Sequence, residues 1–421
     1  MSPRHLRHNL GALGVDYALF LVGLSFASQA TILPAFAAHL GASSALIGAI
    51  PAVMTLGWWL PSLFTAGHTQ ALARKLPFVL RWTVWERAPF PVLAAVAFLL
   101  AERAPGAALA MLLLMLLILT GVGGALMPAW MDIVGRAVPV TLRGRFFALS
   151  SAGACVAALA GSLLTTRILA TVPAPASYGY CFLCATACMV LSYAALTQVR
   201  EPVASPPAPG LGLRAHLARL PALLRGDANL AWYLVARALG LIGTMAAAFY
   251  TVHALWTWAP PVAQIGVFTG LYIAGQLAGN LAFGWLADRV GHRVVIVAGV
   301  AAALAASLAA LGATTLTVFS MVFVLTGLQV ASVNVSNLSV LLEFAPRPEE
   351  RPTYVGLGTT LLAPFAFAAP IAAGLLVDAV GMRTMFLAAA VGAGLALGVL
   401  LGCVRDPRLA RAVPMLGEAR P

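Results

Sequence analysis

The chain has 421 residues, of which 61% are hydrophobic and 9% are charged, and its mean hydropathy is +0.94. Soluble globular domains contain roughly 45–50% apolar residues, so this composition excludes a soluble protein and indicates one with many membrane spans. The formal net charge of +12 would suggest nucleic-acid binding in a soluble domain, but in a membrane protein basic residues also mark cytoplasmic loops.

Apolar runs long enough to cross a bilayer follow one another along the whole chain. A bilayer core requires roughly 20 apolar residues per helix. Twelve such runs begin near Val15, Ser44, Leu76, Gly106, Phe146, Tyr178, Asn229, Ala263, Val294, Leu316, Val355 and Thr384. We therefore predict an all-α polytopic membrane protein with twelve transmembrane helices. The first run, residues 15–40, is too long for the apolar part of a cleaved signal peptide, so it is predicted to remain as a span.

The basic residues are distributed unevenly between the predicted loops. If the amino terminus is cytoplasmic, most of the 25 Lys and Arg residues fall in inward-facing loops, whereas Arg103, Arg167 and Arg383 lie at outward ends. This bias predicts a multi-pass protein of the cell (inner) membrane with both termini in the cytoplasm. The lipid bilayer is therefore the expected partner of the basic residues, and no nucleic acid is expected.

The longest polar segment divides the chain near its middle and predicts three regions. Residues 1–198 are predicted to form an amino-terminal six-helix bundle, residues 199–228 a cytoplasmic central loop, and residues 229–421 a carboxyl-terminal six-helix bundle. Leucines at positions 213, 217, 220 and 224 share one helical stripe, which predicts a short amphipathic helix on the membrane surface. A disordered, Leu-rich linker is the alternative for this loop.

The two predicted bundles contain a weak internal repeat. Residues 46–75 align without a gap to residues 264–293, so that Gly57 meets Gly275 and Lys75 meets Arg293. A repeat at matching places in two halves is typical of transporters built from pseudo-symmetric bundles. We therefore predict two pseudo-symmetric six-helix bundles.

The segment "GWLADRVGHR", residues 284–293, resembles the loop signature of the major facilitator superfamily. The matching positions are Gly284, Leu286, Ala287, Asp288, Arg289, Gly291 and Arg293. The corresponding loop between spans 2 and 3 reads "AGHTQALARK" and has Gln70 where the signature has Asp. Twelve spans, a central loop and a repeat extend the resemblance over the whole chain, and it implies the fold of this superfamily.

The resemblance implies a secondary active transporter, a permease that moves a small solute in or out of the cell by alternating access. Coupling to protons is left open. A transporter-like membrane sensor or binding protein is the alternative, and an intramembrane enzyme is a third class. Because the sequence contains no HExxH, GxSxG or Walker motif, no enzyme activity, cofactor or metal is expected. A monomer is predicted.

Charged residues at the cytoplasmic helix ends are predicted to form a latch. Asp288 is placed to accept hydrogen bonds from the start of another helix, which the resemblance identifies as span 5. Arg289 or Arg293 is expected to pair with Glu343, and Asp132 with Arg74 or Lys75. The alternative is that these charges anchor loops at lipid headgroups. The predicted gating residues are Gly284, Asp288, Arg289, Gly291, Arg293, Glu343, Asp132, Arg143 and Arg145.

Ionisable residues inside the spans are costly unless they are paired, so they are candidates for function. Glu86 and Arg87 lie in span 3, and because adjacent helical residues do not face each other, different partners are predicted for them. Glu86 is the predicted proton carrier if transport is proton-coupled. Arg237 in span 7 is expected to pair with Asp16 in span 1 or, if unpaired, to bind an anionic solute.

By the resemblance, spans 1, 4, 7 and 10 line a central cavity. Polar or aromatic residues on these spans are candidates for contact with the solute. They are Gln29, Trp130, Tyr250, Gln329, Asn334 and Asn337. A mid-span amide also commonly bonds a neighbouring helix, so both roles remain open for these side chains.

Overall fold

A computed structural model describes residues 3–201, 226–345 and 351–406 of the chain. These residues form α-helices joined by short turns, and no β-strand occurs among them. The amphipathic helix predicted in the central loop lies outside the described residues.

The helices follow the predicted apolar runs. Up to the central loop they are α1 (Pro3–Phe26), α2 (Ile32–His39), α3 (Ser44–Ala71), α4 (Leu76–Arg87), α5 (Pro89–Leu99), α6 (Pro105–Ala137), α7 (Val140–Thr171) and α8 (Ala176–Thr197). After it they are α9 (Ala228–Gly243), α10 (Phe249–Trp258), α11 (Gln264–Arg289), α12 (His292–Gly312), α13 (Leu316–Phe344), α14 (Arg351–Val380) and α15 (Met382–Gly402).

Ten helices in the described ranges are long and apolar enough to cross a membrane. The other two predicted spans, the third and the seventh, are each divided into two shorter helices. The first predicted run, residues 15–40, is also divided, between α1 and α2, but α1 alone is long enough to cross a membrane. The third is broken between α4 and α5, where Pro89 and Pro91 lack the backbone N–H groups that a continuous helix needs. The seventh is broken between α9, which ends at Gly243, and α10. The protein is therefore a multi-pass α-helical membrane protein.

The helices pack into two compact units. Unit 1 contains the described residues before position 214 together with Thr251–Gly270, and unit 2 contains the other described residues. The domain boundaries predicted from the sequence stay a prediction.

Close glycine contacts give the two units equivalent helix pairs. In unit 1, Gly57 of α3 packs directly on Thr120 of α6, where any side chain at position 57 would collide with the threonine. In unit 2, Gly275 of α11 packs in the same way on the backbone of Val324 in α13. Small residues of this kind allow membrane helices to approach closely. The repeat aligns Gly57 with Gly275, so the two halves use their matched glycines for the same purpose.

Three buried threonines join distant segments within unit 1. The Thr31 hydroxyl lies 2.7 Å from the Thr269 hydroxyl at the start of α11, and the Thr251 hydroxyl of α10 donates to the carbonyl of Ala30 at 2.9 Å. All three threonines are at most 1% exposed. The turn between α1 and α2 is therefore tied by hydrogen bonds to both α10 and the start of α11.

Candidate functional site

A cavity of about 90 Å³ lies among helices α1, α3, α4, α6 and α8 of unit 1. This volume has room for a few water molecules, since one water needs about 10–15 Å³ of such space. Its walls are mainly aromatic and apolar, with Tyr17, Phe20, Trp58 and Trp130 among them. The charged side chains of Asp16, Glu86 and Arg87 also line the cavity. An apolar pocket with a few converging polar groups is the usual form of a small-molecule site.

Arg87 at the end of α4 lies at the centre of a buried charge network. Its Nη2 atom is 3.0 Å from Asp16 Oδ1, and its Nη1 atom is 3.2 Å from Glu86 Oε2. The same guanidinium donates to the hydroxyls of Thr83 and Ser192, and it lies 5.5 Å from the centre of the Phe20 ring. One arginine therefore holds two carboxylates from two different helices.

This geometry corrects the prediction that Glu86 and Arg87 have different partners. Glu86 and Arg87 leave the helix in different directions, but the arginine side chain is long enough for its Nη1 atom to return to the neighbouring carboxylate. The spacing rule concerns Cβ positions and does not limit the reach of a long side chain.

Asp16 accepts three hydrogen bonds, each from a different helix. The donors are Arg87 of α4, the Ser192 hydroxyl of α8 at 2.6 Å and the Trp130 indole Nε1 of α6 at 3.1 Å. The predicted pairing of Asp16 with Arg237 is therefore wrong. Burial requires that the carboxylate be neutralised, and Arg87 on the neighbouring α4 does this.

Only one of the two carboxylate oxygens of Glu86 takes part in the charge network. Its Oε2 atom accepts from the Thr83 hydroxyl at 2.7 Å and from Arg87, whereas its Oε1 atom has no hydrogen bond to a residue of the described ranges. Gly123 of α6 makes the space for this carboxylate. A Cβ atom at position 123 would lie 2.6 Å from Oε1 and 2.7 Å from the Trp58 ring. Oε1 is thus the oxygen that can take up a proton or accept a hydrogen bond from a solute.

Unit 2 buries an arginine in a different environment. Arg237 of α9 is 8% exposed, and it makes no hydrogen bond or ion pair with any residue that the structure describes. One helical turn earlier, Tyr233 is 1% exposed, and its ring lies 5.3 Å from that of Phe344. The Tyr233 hydroxyl and the Arg237 Nε atom are both buried without a hydrogen-bond partner in the described residues. Arg237 and Glu343 of α13 both lie within electrostatic range of this hydroxyl.

The other candidates for solute contact are dispersed. Tyr250 is buried, with its hydroxyl 3.3 Å from that of Ser307 and its ring stacked on Phe386, so it packs within unit 2. Gln29 and Asn334 are exposed, and Gln329 and Asn337 are half-buried. Contact between these side chains and a solute stays a prediction. Trp130 differs from them because it lines the cavity and binds Asp16.

The predicted contact between Asp132 and a basic residue is present in unit 1. Lys75 Nζ lies 3.0 Å from Asp132 Oδ2, and Arg136, one turn further along α6, lies 2.7 Å from the same oxygen. Arg143 donates to the carbonyls of Gly135 and Val138, the latter at 3.1 Å, and so caps the carboxyl end of α6. Arg145 is exposed. The function of these contacts in gating stays a prediction.

The predicted pairing of Glu343 with Arg289 or Arg293 is not seen, because both arginines bind elsewhere. The Arg289 guanidinium lies 4.4 Å from the centre of the Trp285 ring, and Arg293 donates to the carbonyl of Leu400 at 2.6 Å. Asp288 is exposed and makes no hydrogen bond or ion pair within the described ranges. Its function as a latch therefore stays a prediction.

The two glycines of the segment 284–293 have different surroundings, since Gly284 lies within α11 and Gly291 lies between α11 and α12. Gly291 has φ of +120°, a conformation that residues with a side chain rarely adopt, and it allows the sharp turn from α11 into α12. Gly284 has open space where a side chain would be.

Several residues of the site were not predicted from the sequence. Thr83, Ser192, Trp58 and Gly123 all belong to the cavity or its charge network. Thr83 precedes Glu86 by three positions in an apolar span, and that spacing was an available signal. Glu201 was assigned to the central loop, but its carboxylate accepts the backbone N–H groups of Lys75 and Leu76 and caps the start of α4.

The fold and the buried charged cavity define a polytopic membrane protein with ionisable side chains inside its spans. The family model for the Major Facilitator Superfamily matches residues 257–418. The resemblance to this superfamily predicted from residues 284–293 is thereby confirmed.

Comparison with individual proteins supports the same fold. Solute carrier family 22 member 6 of Rattus norvegicus and that of Mus musculus are each 32% identical over 108 residues, which cover 24% of this chain. The match spans about a fifth of the length of these relatives, 19% in each case.

Among solved structures, the nucleoside transporter NupG has a TM-score of 0.71 at 14% identity and covers 93% of this chain and 98% of its own. The human organic anion transporter MFSD10 has a TM-score of 0.60 at 17% identity and covers 95% of this chain and 100% of its own. The E. coli fucose:proton symporter FucP has a TM-score of 0.61 at 14% identity, with 93% and 97% covered. At these identities the likeness concerns the fold alone.

Proposed function

We propose that this protein is a secondary active transporter that moves a small solute across the cell (inner) membrane by alternating access. The observation that carries this proposal is the cavity of unit 1, where a buried arginine holds two carboxylates beside aromatic walls. Charged groups inside membrane spans are costly and are commonly retained for the movement of ions or solutes. The fold is shared with nucleoside and sugar transporters, which supports transport over binding alone.

Proton coupling through Glu86 is the second part of the proposal. The network contains two carboxylates and one guanidinium, so it has room for one additional positive charge. Glu86 Oε1 is available for a proton, whereas both oxygens of Asp16 are occupied by donors. A fucose:proton symporter shares the fold, which is consistent with this mode of coupling.

The proposed topology rests on the distribution of basic residues in the sequence. The bias of basic residues toward alternate loops supports cytoplasmic termini and insertion in the inner membrane. We further propose that the protein acts as a monomer without catalytic activity.

The test compares Glu86→Gln with wild type in proteoliposomes, using labelled uridine, fucose, a dipeptide and benzoate as probes. For a probe that the wild type accumulates under a pH gradient, the variant should keep exchange of internal for external solute but lose the gradient-driven accumulation. Glu102→Gln is the matched control because Glu102 is exposed in the turn before α6.

Accumulation by the Glu86 variant at the wild-type level would remove this carboxylate from the coupling mechanism. A probe that stabilises the wild-type protein against heat but never crosses the membrane would instead favour the sensor alternative.

A further inference from the structure

The buried polar groups of Arg237 and Tyr233 lie outside the cavity described in unit 1. Both side chains are more than nine-tenths buried, at 8% and 1% exposure. They are separated by four positions on α9 and therefore lie on the same helical face. Arg237 Nε and the Tyr233 hydroxyl have no hydrogen-bond partner in the described ranges, so two donors of neighbouring side chains are unsatisfied together.

The guanidinium of Arg237 remains accessible at its outer end. Its Nε atom is buried, but Nη1 and Nη2, which bond no described residue either, retain accessible surface. This small accessible surface is where an approaching group would meet the terminal nitrogens. A planar fork of this kind matches the two oxygens of a carboxylate.

The protein supplies little compensation for this positive charge. Asp16, which was expected to neutralise it, is bound to Arg87. None of the ion pairs between described residues includes Arg237. An uncompensated buried arginine costs several kcal/mol, which a bound anion would offset.

We propose that Arg237 and Tyr233 form a binding site for the carboxylate of a small organic anion, which is the transported solute. The guanidinium binds the two carboxylate oxygens, and the Tyr233 hydroxyl donates a further hydrogen bond. The proposal rests on the transport function proposed above and assigns its class of substrate. The phosphate of a lipid headgroup has related chemistry, and the experiment must distinguish it from a free anion.

The experiment measures the thermal unfolding of the purified protein in detergent with benzoate, benzamide, benzylamine, succinate and phosphatidylglycerol. At least one carboxylate should raise the melting temperature, whereas benzamide and benzylamine, which match benzoate in shape, should not. Arg237→Gln should weaken carboxylate binding by tenfold or more, about the effect of losing a charged hydrogen bond. Arg237→Lys should retain part of the affinity, and Tyr233→Phe should weaken it less. Arg103→Gln, at an exposed position, is the control.

Equal shifts with benzoate and benzamide, or a benzoate shift that survives Arg237→Gln, would overturn the site. An Arg237-dependent shift with phosphatidylglycerol alone would make it a lipid site, and no shift with any carboxylate would also reject the proposal. If a neutral probe is transported but carboxylates do not bind, transport stands and this site fails. If carboxylates bind through Arg237 but no probe crosses the membrane, the site stands and the transport function fails.

Discussion

Arg87 in unit 1 and Arg237 in unit 2 are equally buried, at 9% and 8% exposure, but they have opposite surroundings. Arg87 touches two carboxylates and two hydroxyls, whereas Arg237 bonds no residue in the described part of the chain. The same side chain at the same depth therefore has two carboxylate partners in unit 1 and no hydrogen-bond partner among the described residues in unit 2. The burial of a charged side chain does not by itself indicate its role, whereas the residues that it bonds do.

The largest expected effect comes from removing each arginine in turn. Arg87→Met should destabilise the protein by about 3–5 kcal/mol, because Asp16 and Glu86 would stay buried without their counter-ion. Arg237→Met should be neutral or stabilising, because it replaces an unpaired buried cation with an apolar side chain of similar length. Thermal unfolding in one detergent checks both variants.

Similar losses of stability in Arg87→Met and Arg237→Met would show that the two arginines do not differ in their contribution to stability. A control for the first variant is Arg87→Met combined with Asp16→Asn and Glu86→Gln, which should regain much of the lost stability because no unpaired charge remains.

A smaller effect is expected from filling the space beside Glu86. Gly123→Ala should destabilise the protein by about 1–3 kcal/mol, because the new Cβ atom would crowd Glu86 Oε1 and Trp58. Gly121→Ala on the same helix has open space at its Cβ and should stabilise α6 by up to about 1 kcal/mol. Thermal unfolding of the pair, together with uptake by each variant, measures the difference. Equal behaviour of the two variants would show that Glu86 does not need this space.

The smallest effect is expected at the edge of unit 1, where Asp132 is 38% exposed in its contact with Lys75. Asp132→Asn should cost about 0.2–1 kcal/mol at low salt, and less at 1 M NaCl because salt screens exposed charges. Asp288→Asn, at a position with no partner in the described residues, should leave the melting temperature unchanged. A larger loss for Asp288 than for Asp132 would indicate a partner for Asp288 in the working protein.

Much of the fold follows from the sequence, because span length and apolar composition are local properties. The alignment of Gly57 with Gly275 predicted only a repeat, and the structure shows that both glycines make close helix contacts. The break in the third span has a local cause in Pro89 and Pro91. The break in the seventh span follows Gly243 and has no proline, so composition alone did not reveal it.

The site was less predictable, because its contacts join residues that are distant in sequence. Asp16, Glu86 and Arg87 were identified as charges in apolar spans, but their pairing depends on which helices are neighbours. Asp16 and Arg87 are 71 positions apart, and Asp16 and Ser192 are 176 apart. The apolar periodicity of a single helix does not indicate which other helices pack against it. The free-energy cost of burying a charged side chain indicates that it needs a partner. Which residue is that partner depends on the packing of the helices.

The two prolines after Arg87 have a consequence for the shape of the cavity in unit 1. Pro89 and Pro91 offer no N–H to the carbonyls of Trp85 and Arg87, so covalent structure interrupts the helix next to the charge network. The bend is therefore present before any solute arrives and does not depend on binding energy to form it. A preorganised site of this kind loses little conformational entropy when it is occupied. In the transport cycle proposed above, the binding energy of a solute in this cavity would therefore remain available for conformational exchange.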